Sequence, residues 1–238
     1  MVHHENTPRV RGTEPDEFAI RDMRSFPDIS GDPRLYRRLT DTVAVMTASG
    51  AGAEEIYQRA LARVREDADF AVLVLKTHDA LEEDAYIERW ALVQLAIDLE
   101  HPAAGELLAD IVRRPIPEER SADPAHGIST VTEEVLLRTT AMEGLSRLFR
   151  HGVDTSDVLL ETIARADYTA MRRAAWFALL DGDQRDALEH ARALLDERGD
   201  GWIADLQRHT VSDAEQADID RIDPPQKDLP GIPRPFDE

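Results

Sequence analysis

The chain has 238 residues, with 48 acidic against 28 basic ones, so its formal net charge is -20 at pH 7. The lack of cysteine excludes disulfide scaffolds, thiolate metal sites and thiol nucleophiles. The negative charge opposes binding to phosphate backbones and to anionic membranes. Apolar runs such as Phe70 to Leu75 are far too short to span a bilayer, and the first residues lack the layout of a signal peptide. We therefore expect a cytoplasmic protein that binds neither nucleic acid nor membrane.

The N-terminal part of the chain, residues 1–31, is polar and rich in turn-forming residues, so we predict an arm outside the main domain. The first helix is predicted to begin at Asp32, whose carboxylate can cap it. Pro33 follows, and its missing N–H is not needed at the first helical position. Leu39 and Val43 continue the pattern at helical spacing. The main domain is therefore expected to start at residue 32.

From residue 53 onward, apolar residues recur at intervals of three and four positions, which is typical of amphipathic helices. The run Phe70 to Leu75 could instead form a buried strand, but helix is favoured because the segments on both sides have helical periodicity. Thr130 and Glu133 match a capping box at the start of one helix. With the first helix, the pattern predicts about nine helices. The later ones are predicted over 53–66, 68–81, 84–100, 102–114, 130–150, 154–165, 169–180 and 183–198.

The predicted helices contain a repeated pattern, in which an alanine is followed four positions later by a large apolar residue. A polar insertion, residues 115–129, lengthens the interval between the second and third copies. Small residues at fixed positions let helices approach closely, so we expect these alanines to be core contacts between stacked helix pairs. The repeated pairs are Ala60 with Val64, Ala91 with Leu95, Ala141 with Leu145, and Ala175 with Leu179.

Three positions before the alanine, three of the copies carry a charged residue, namely Glu88, Arg138 and Arg172. The segment 167–179 adds an acidic turn, an apolar residue followed by arginine, and an alanine-rich stripe. In these features the sequence resembles HEAT-like α-solenoids, particularly the short repeats of the phycobilisome-lyase type, with Glu88 where that family has a basic residue. The resemblance extends over residues 53–198 and implies an all-α fold, a right-handed α–α superhelix of helical hairpins. It implies no single function, since such solenoids scaffold, inhibit, bind peptides and occasionally catalyse.

No residue pattern points to a catalytic, cofactor-binding or metal site. The eight histidines form no His-Glu-x-x-His motif. The acidic stretch 181–186 has its glycine too early for a calcium loop and contains an arginine, so we interpret it as a helix turn with Asp183 as the N-cap. The glycine-rich stretch 49–52 lacks the lysine and hydroxyl of a phosphate-binding loop. The chain is therefore predicted to be non-catalytic, with no cofactor and no metal.

The second helices of successive predicted pairs carry mixed charges on one side, and in a solenoid these helices line the concave face. This pattern predicts a partner-binding surface, with a merely solvated face as the alternative. Trp202 is a further candidate, as an exposed aromatic anchor. After the predicted helical domain of residues 32–209, the acidic, proline-rich tail 210–238 carries Phe236 and either docks in a groove or is disordered. The charged candidates are Glu106, Asp110, Arg113, Asp157, Glu161, Arg165, Glu189 and Arg192.

These patterns lead to two functional hypotheses. The first is a non-catalytic interaction protein, a scaffold or an inhibitor such as a bacterial immunity protein, whose acidic helical surface binds a partner protein with basic contact residues. The second is a small-molecule or chromophore-handling enzyme of the lyase-like HEAT group. That enzyme would need Tyr86, Arg89 and Asp98 to converge in a deep apolar pocket. The charge of the chain and its lack of a catalytic pattern favour the first hypothesis.

Overall fold

The computed structural model describes residues 25–48 and 52–206. Within these ranges it contains nine α-helices, a short 3₁₀ helix at Gly201–Asp205 and no β-strand. The prediction of an all-α fold is therefore confirmed, including the helix through Phe70 to Leu75. The α-helices are α1 (Pro33–Met46), α2 (Ala53–Ala62), α3 (Ala68–Asp79), α4 (Tyr86–Leu99), α5 (Ala104–Arg113), α6 (Thr130–Arg150), α7 (Ser156–Arg165), α8 (Thr169–Asp181) and α9 (Arg185–Glu197).

The chain divides into two compact units, Met1–Ile203 and Ala204–Glu238. All nine α-helices belong to the first unit, and the described part of the second unit is residues 204–206. The predicted N-terminal arm as far as residue 24, and the predicted C-terminal tail with Phe236, lie outside the described residues.

Two layers of helices make up most of the first unit. In layer A, α4, α6 and α8 pack side by side, and in layer B, α3, α5, α7 and α9 do so. The most extensive contacts between the layers join α3 to α4, α5 to α6, and α7 to α8. Consecutive pairs thus stack into an α–α superhelix, because no single pair of helices can cover its own apolar face.

The alanines of layer A lie where the helices approach most closely. Ala91 in α4, Ala141 in α6 and Ala175 in α8 are all fully buried. Gly144 makes the contact between α4 and α6 closer still, because a Cβ at this position would lie 2.5 Å from the Cγ1 atom of Ile97. Small side chains at these positions therefore set the spacing within layer A.

The first copy of the repeated pattern does not join this layer. Ala60 lies in α2, which packs mainly on α1, and its side chain is half-buried. This departure occurs in the first pair of helices in the described stack, where fewer neighbours cover the surface.

Two of the predicted helix caps are wrong, while the first is confirmed. Asp32 accepts a hydrogen bond from the backbone N–H of Arg34 at 2.8 Å, as predicted. For α6 the cap is Ser129 rather than Thr130, since its hydroxyl oxygen accepts from the N–H of Thr132 at 3.1 Å. Asp183 has a left-handed backbone (φ 54°) and stands one residue before the cap position of α9.

The cap of α6 is reinforced from the polar insertion. The carboxylate of Glu119 accepts hydrogen bonds from the Ser129 hydroxyl at 2.5 Å and from the Thr130 N–H at 2.9 Å. The bond from Ser129, followed by bonds from backbone N–H groups, lowers the pKa of Glu119 to about 2. The negative charge at the helix N-terminus also interacts favourably with the helix dipole.

Candidate protein-binding groove

A groove runs between α5 and α7 of layer B, and it widens into a cleft at each end. The cleft at the N-terminal halves of the two helices has a volume of about 420 Å³ and is lined in part by Glu106 and Asp157. The cleft at the C-terminal ends has a volume of about 380 Å³ and is lined in part by Glu161 and Arg165. Arg113 lines both clefts, so the two adjoin at this side chain.

The ends of α5 and α7 shape this groove. α5 stops at Arg113 because the next residue, Arg114, precedes Pro115 and adopts an extended conformation (ψ 137°), which such a position favours. The connection to α7 is fixed by Thr155, whose hydroxyl donates to the backbone carbonyl of Leu145 in α6 at 3.2 Å. The two helices are therefore held by layer A while they touch each other only lightly.

The floor of the first cleft is apolar. Ala109 from α5, and Val158 from α7, are buried side chains that line it, together with Leu145 from layer A. An apolar floor with a few polar groups at its edge is the usual composition of a binding cleft. The groove can therefore bury an apolar side chain of a ligand.

At the C-terminal end, the charges around the groove are paired with one another. Glu161 accepts from the Nε of Arg113 at 3.1 Å and from the Nη1 of Arg165 at 2.7 Å. All three side chains are at least one-third exposed, so these ion pairs contribute at most about 1 kcal/mol each. Their main effect is to orient the three side chains across the groove.

At the N-terminal end, the carboxylates are unpaired. Glu106 and Asp157 line this cleft and are exposed, and neither forms an ion pair with a side chain in the described ranges. Asp110 is also exposed on α5 but lines neither cleft. Asp154, beside the same cleft, accepts a hydrogen bond from the backbone N–H of Ser156 at 3.1 Å and remains exposed. This end of the groove therefore has an acidic rim whose carboxylates form no ion pair among the described side chains, while Arg113, which also lines the cleft, pairs with Glu161.

The remaining predicted partner-binding residues lie away from these clefts. Glu189 and Arg192 are exposed on α9, which packs against α7, and they extend the charged surface of layer B. Trp202 is 51 % exposed in the 3₁₀ helix but does not line either cleft. Phe236 lies outside the described residues.

A second polar cluster is buried inside layer A, and the sequence analysis did not predict it. The carboxylate of Glu134 in α6 bonds to Arg89 in α4 at 2.7 Å and also to Arg138, one turn further along α6. Burial alone would raise the pKa of Glu134, but the hydrogen bonds from Arg138 and Arg89 outweigh burial and lower it. The three charges therefore form one satisfied network that joins the two helices.

The arginines of the repeated pattern have a structural role. Arg138 donates to the backbone carbonyls of Arg114 and Pro115, just after α5, at 3.1 and 3.0 Å. Arg172 donates to the carbonyls of Ala166 and Asp167, just after α7, at 2.6 and 2.9 Å. Carbonyls at a helix C-terminus lack partners within the helix. Each of these arginines thus satisfies the end of the preceding layer B helix.

In the copy of the pattern that carries Glu88, the neighbouring Arg89 makes a comparable hydrogen bond to a backbone carbonyl. Arg89 donates to the carbonyl of Glu83, in the connection before α4, at 2.8 Å. Glu88 itself is buried. The two arginine positions of the pattern are therefore explained by packing between repeats.

The residues needed for the enzyme hypothesis are not brought together. The guanidinium of Arg89 lies 5.7 Å from the centre of the Tyr86 ring. Asp98 lies about 14 Å further along the same helix than Arg89, and about 18 Å further than Tyr86, at a rise of about 1.5 Å per residue. There it accepts hydrogen bonds from the Tyr57 hydroxyl at 2.7 Å and from Arg147 at 2.9 Å. Burial and the bond to Asp98 raise the pKa of Tyr57, so this cluster is a structural link between helices.

Over residues 25–48 and 52–206, no group of three or more acidic or histidine side chains is placed to hold a metal ion. No helix in the same ranges is both long and apolar enough to cross a membrane. Comparison of the chain with protein-family models, with curated proteins and with solved structures found no match.

Proposed function

We propose that this chain is a non-catalytic protein-binding protein, and that the groove between α5 and α7 receives a segment of a partner protein. The observation that supports this most directly is the unpaired acidic rim of Glu106 and Asp157 beside an apolar floor. Such a groove fits a segment in which an apolar side chain is flanked by arginine or lysine. The apolar side chain would be buried, and the basic side chains would neutralise the rim.

The charge of the whole chain supports a basic partner. A net charge of -20 creates a field that speeds the approach of a positively charged protein and repels nucleic acid and anionic membranes. A scaffold and an inhibitor, such as an immunity protein, both fit this proposal. A cytoplasmic location and membership of the HEAT-like repeats are parts of the proposal that rest on the sequence.

The proposal favours binding over catalysis because the best candidate side chains for catalysis are already engaged. Arg89 bonds to Glu134, and Asp98 bonds to Tyr57 and Arg147. Each group therefore has a partner within the protein that accounts for its position.

The proposal can be tested with a defined probe, a fluorescent peptide in which leucine is flanked by arginines. The full chain is added to this peptide while the fluorescence anisotropy is measured. A control peptide, which carries glutamate in place of each arginine, is titrated in the same way. We expect binding of the basic peptide alone, with an affinity that falls as salt rises, because exposed charges are screened. The double variant Glu106→Gln/Asp157→Asn should weaken binding about tenfold, since an exposed charge pair contributes about 0.2–1 kcal/mol.

A matched control separates the groove from the overall charge. The double variant Glu66→Gln/Asp69→Asn removes the same two charges from exposed positions around the start of α3. Its affinity for the basic peptide should remain within about twofold of the parent. Equal weakening by both double variants, or equal binding of both peptides, would contradict a groove-specific function.

A further inference from the structure

The two ends of the groove between α5 and α7 differ in the sign of their charge. The cleft at the N-terminal end is lined by one arginine and by three carboxylates, those of Glu106, Asp154 and Asp157. The cleft at the C-terminal end is lined by the two carboxylates of Glu161 and Asp167 and by three arginines, here named the arginine end: Arg113, Arg114 and Arg165. The lining of the groove therefore changes from net negative to net positive along its length.

The arginine end has hydrogen-bond donors that its internal ion pairs do not use. Glu161 accepts from the Nε of Arg113 at 3.1 Å and from the Nη1 of Arg165 at 2.7 Å. A guanidinium carries five N–H donors, so both arginines can donate to a second carboxylate while they keep this bond. Arg114 is exposed, and its ion pair with Asp79 is long, at 4.0 Å. The arginine end can therefore bind a carboxylate of a ligand.

The distance between the two ends matches a short stretch of extended chain. Glu106 and Arg113 lie seven residues apart on α5, and Asp157 and Arg165 lie eight residues apart on α7. At a rise of about 1.5 Å per residue, the acidic rim and the arginine end are about 10–12 Å apart. An extended segment advances about 3.3 Å per residue and directs every second side chain to the same side. Side chains at positions i, i+2 and i+4 therefore face the groove and span about 13 Å.

The groove favours an extended segment over a helical one. Arg113 on α5 and Glu161 on α7 bridge it at 3.1 Å, whereas a helix with its side chains is about 10–12 Å wide. An extended segment can lie along the groove, over this ion pair. Buried apolar side chains line both clefts, namely Ala109 and Val158 beside the acidic rim, and Val112 and Met171 at the arginine end. The middle position of the segment, i+2, therefore suits an apolar side chain.

We propose that the groove recognises an extended partner segment in which a basic, an apolar and an acidic residue occupy positions i, i+2 and i+4. The basic side chain binds the acidic rim, and the side-chain carboxylate of the aspartate or glutamate at i+4 binds the arginine end. This inference rests on the proposed function and deepens it, because it states the order and the spacing of the charges in the partner.

The net charge of the chain makes this proposal easy to distinguish from general attraction. A protein with a charge of -20 attracts the more positive of two peptides. Long-range attraction alone therefore favours a peptide without the carboxylate, whereas recognition at the arginine end favours the peptide with it. The sign of the difference in affinity separates the two explanations.

The test compares two fluorescent peptides by anisotropy while the full chain is added. One contains Arg-Ser-Leu-Ser-Glu, and the other has glutamine in place of the glutamate. Both are acetylated and amidated, so that their termini carry no charge. We expect the glutamate peptide to bind about threefold to fivefold more tightly, which corresponds to one or two exposed ion pairs.

The peptide in which leucine is flanked by arginines is the reference. If the reference binds but the glutamate peptide has no advantage over the glutamine peptide, this inference is wrong while the proposed function stands. If none of the three peptides binds, the proposed function is wrong as well.

A pair of double variants locates the preference in the groove. Arg114→Gln/Arg165→Gln removes two cations of the arginine end and should abolish the advantage of the glutamate peptide. Arg150→Gln/Arg173→Gln removes the same charge from exposed positions on α6 and α8 that line neither cleft, so the advantage should remain. Circular dichroism checks that both variants are folded. An advantage that survives in the first variant, or disappears in both, would overturn the proposal.

Discussion

Layers A and B differ in whether they bury charged residues. Layer A buries charged residues, among them Glu134, Arg138 and Arg172, and exposes apolar ones such as Trp90 and Leu136. In layer B, helices α5, α7 and α9 bury no charged side chain, and their charges face solvent. Both layers nevertheless belong to the same stack of helix pairs.

The difference follows from the backbone. The layer B helices α5 and α7 end with carbonyls that lack partners, and arginines of layer A reach across to satisfy them. Layer A therefore uses part of its charge internally, and its exposed residues include apolar ones such as Trp90 as well as charged ones such as Glu143. A charged residue in such a repeat can thus stabilise the fold rather than bind a partner. Three predictions distinguish these two roles.

The largest effect is expected from breaking the buried network of layer A. Replacing Glu134 by alanine would leave Arg89 and Arg138 as buried charges without their shared carboxylate. We expect the free energy of unfolding to fall by about 3–5 kcal/mol, the usual consequence of removing one partner from a buried ion pair. Urea denaturation monitored by circular dichroism measures this change.

An exposed glutamate on the same helix is the control for this substitution. Glu143 lies on the outer face of α6, and Glu143→Ala should change the free energy of unfolding by no more than about 0.5 kcal/mol. If Glu134→Ala were equally mild, the internal network would not stabilise layer A.

A somewhat smaller effect is expected from pH, through a histidine buried at the end of α3. Neither ring nitrogen of His78 has a hydrogen-bond partner within 3.5 Å. Burial and the positive charge of Arg89 lower the pKa of His78 to about 4, while Asp79 acts in the opposite direction. The unfolded chain binds the proton below about pH 6.5, so stability should fall between about pH 6.5 and pH 4, by about 3 kcal/mol in total.

The variant His78→Leu isolates this contribution. It removes the titrating ring while keeping an apolar side chain, so its stability should depend less on pH over that interval. Carboxylates with lowered pKa values, such as Glu134 and Asp67, titrate equally in both proteins and cancel in the difference. Urea denaturation across the pH range gives the two profiles, and parallel profiles would show that His78 does not titrate as described.

The smallest effect is expected on the outer face of layer B. Glu161→Gln removes the charge that pairs with Arg113 and Arg165, all of them partly exposed. We expect a loss of about 0.5 kcal/mol, disappearing at high salt, because exposed ion pairs contribute little and are screened. Urea denaturation at two salt concentrations measures it, and a loss as large as that for Glu134→Ala would abolish the distinction between the layers.

The helices themselves could be predicted because their apolar residues follow the period of the α-helix. The range 130–150 of α6 was predicted as observed, and α7 and α8 end within one residue of their predicted positions. Errors occurred where a cap depends on distant residues. The start of α6 uses Glu119, ten residues before Ser129, which local spacing does not indicate.

The charged face of layer B could also be predicted, because Glu106, Asp110 and Arg113 follow the helical period on one side of α5. The groove beside them could not, since its width depends on how layer A holds α5 and α7 apart. The exposed apolar residues of layer A were missed for a different reason. Periodicity assigns apolar residues to the core, and Ile87, Trp90 and Leu136 do not fit that rule.

The polar insertion between α5 and α6 is closed at its base. Glu119 bonds to Ser129, and the backbone N–H of Arg120 donates to the Thr130 hydroxyl at 3.3 Å. Residues 121–128 therefore form a loop whose two ends lie next to each other. Lengthening such a closed loop costs only about 0.6 kcal/mol for each doubling, so this segment offers room for added sequence, whether gained in evolution or inserted as a tag.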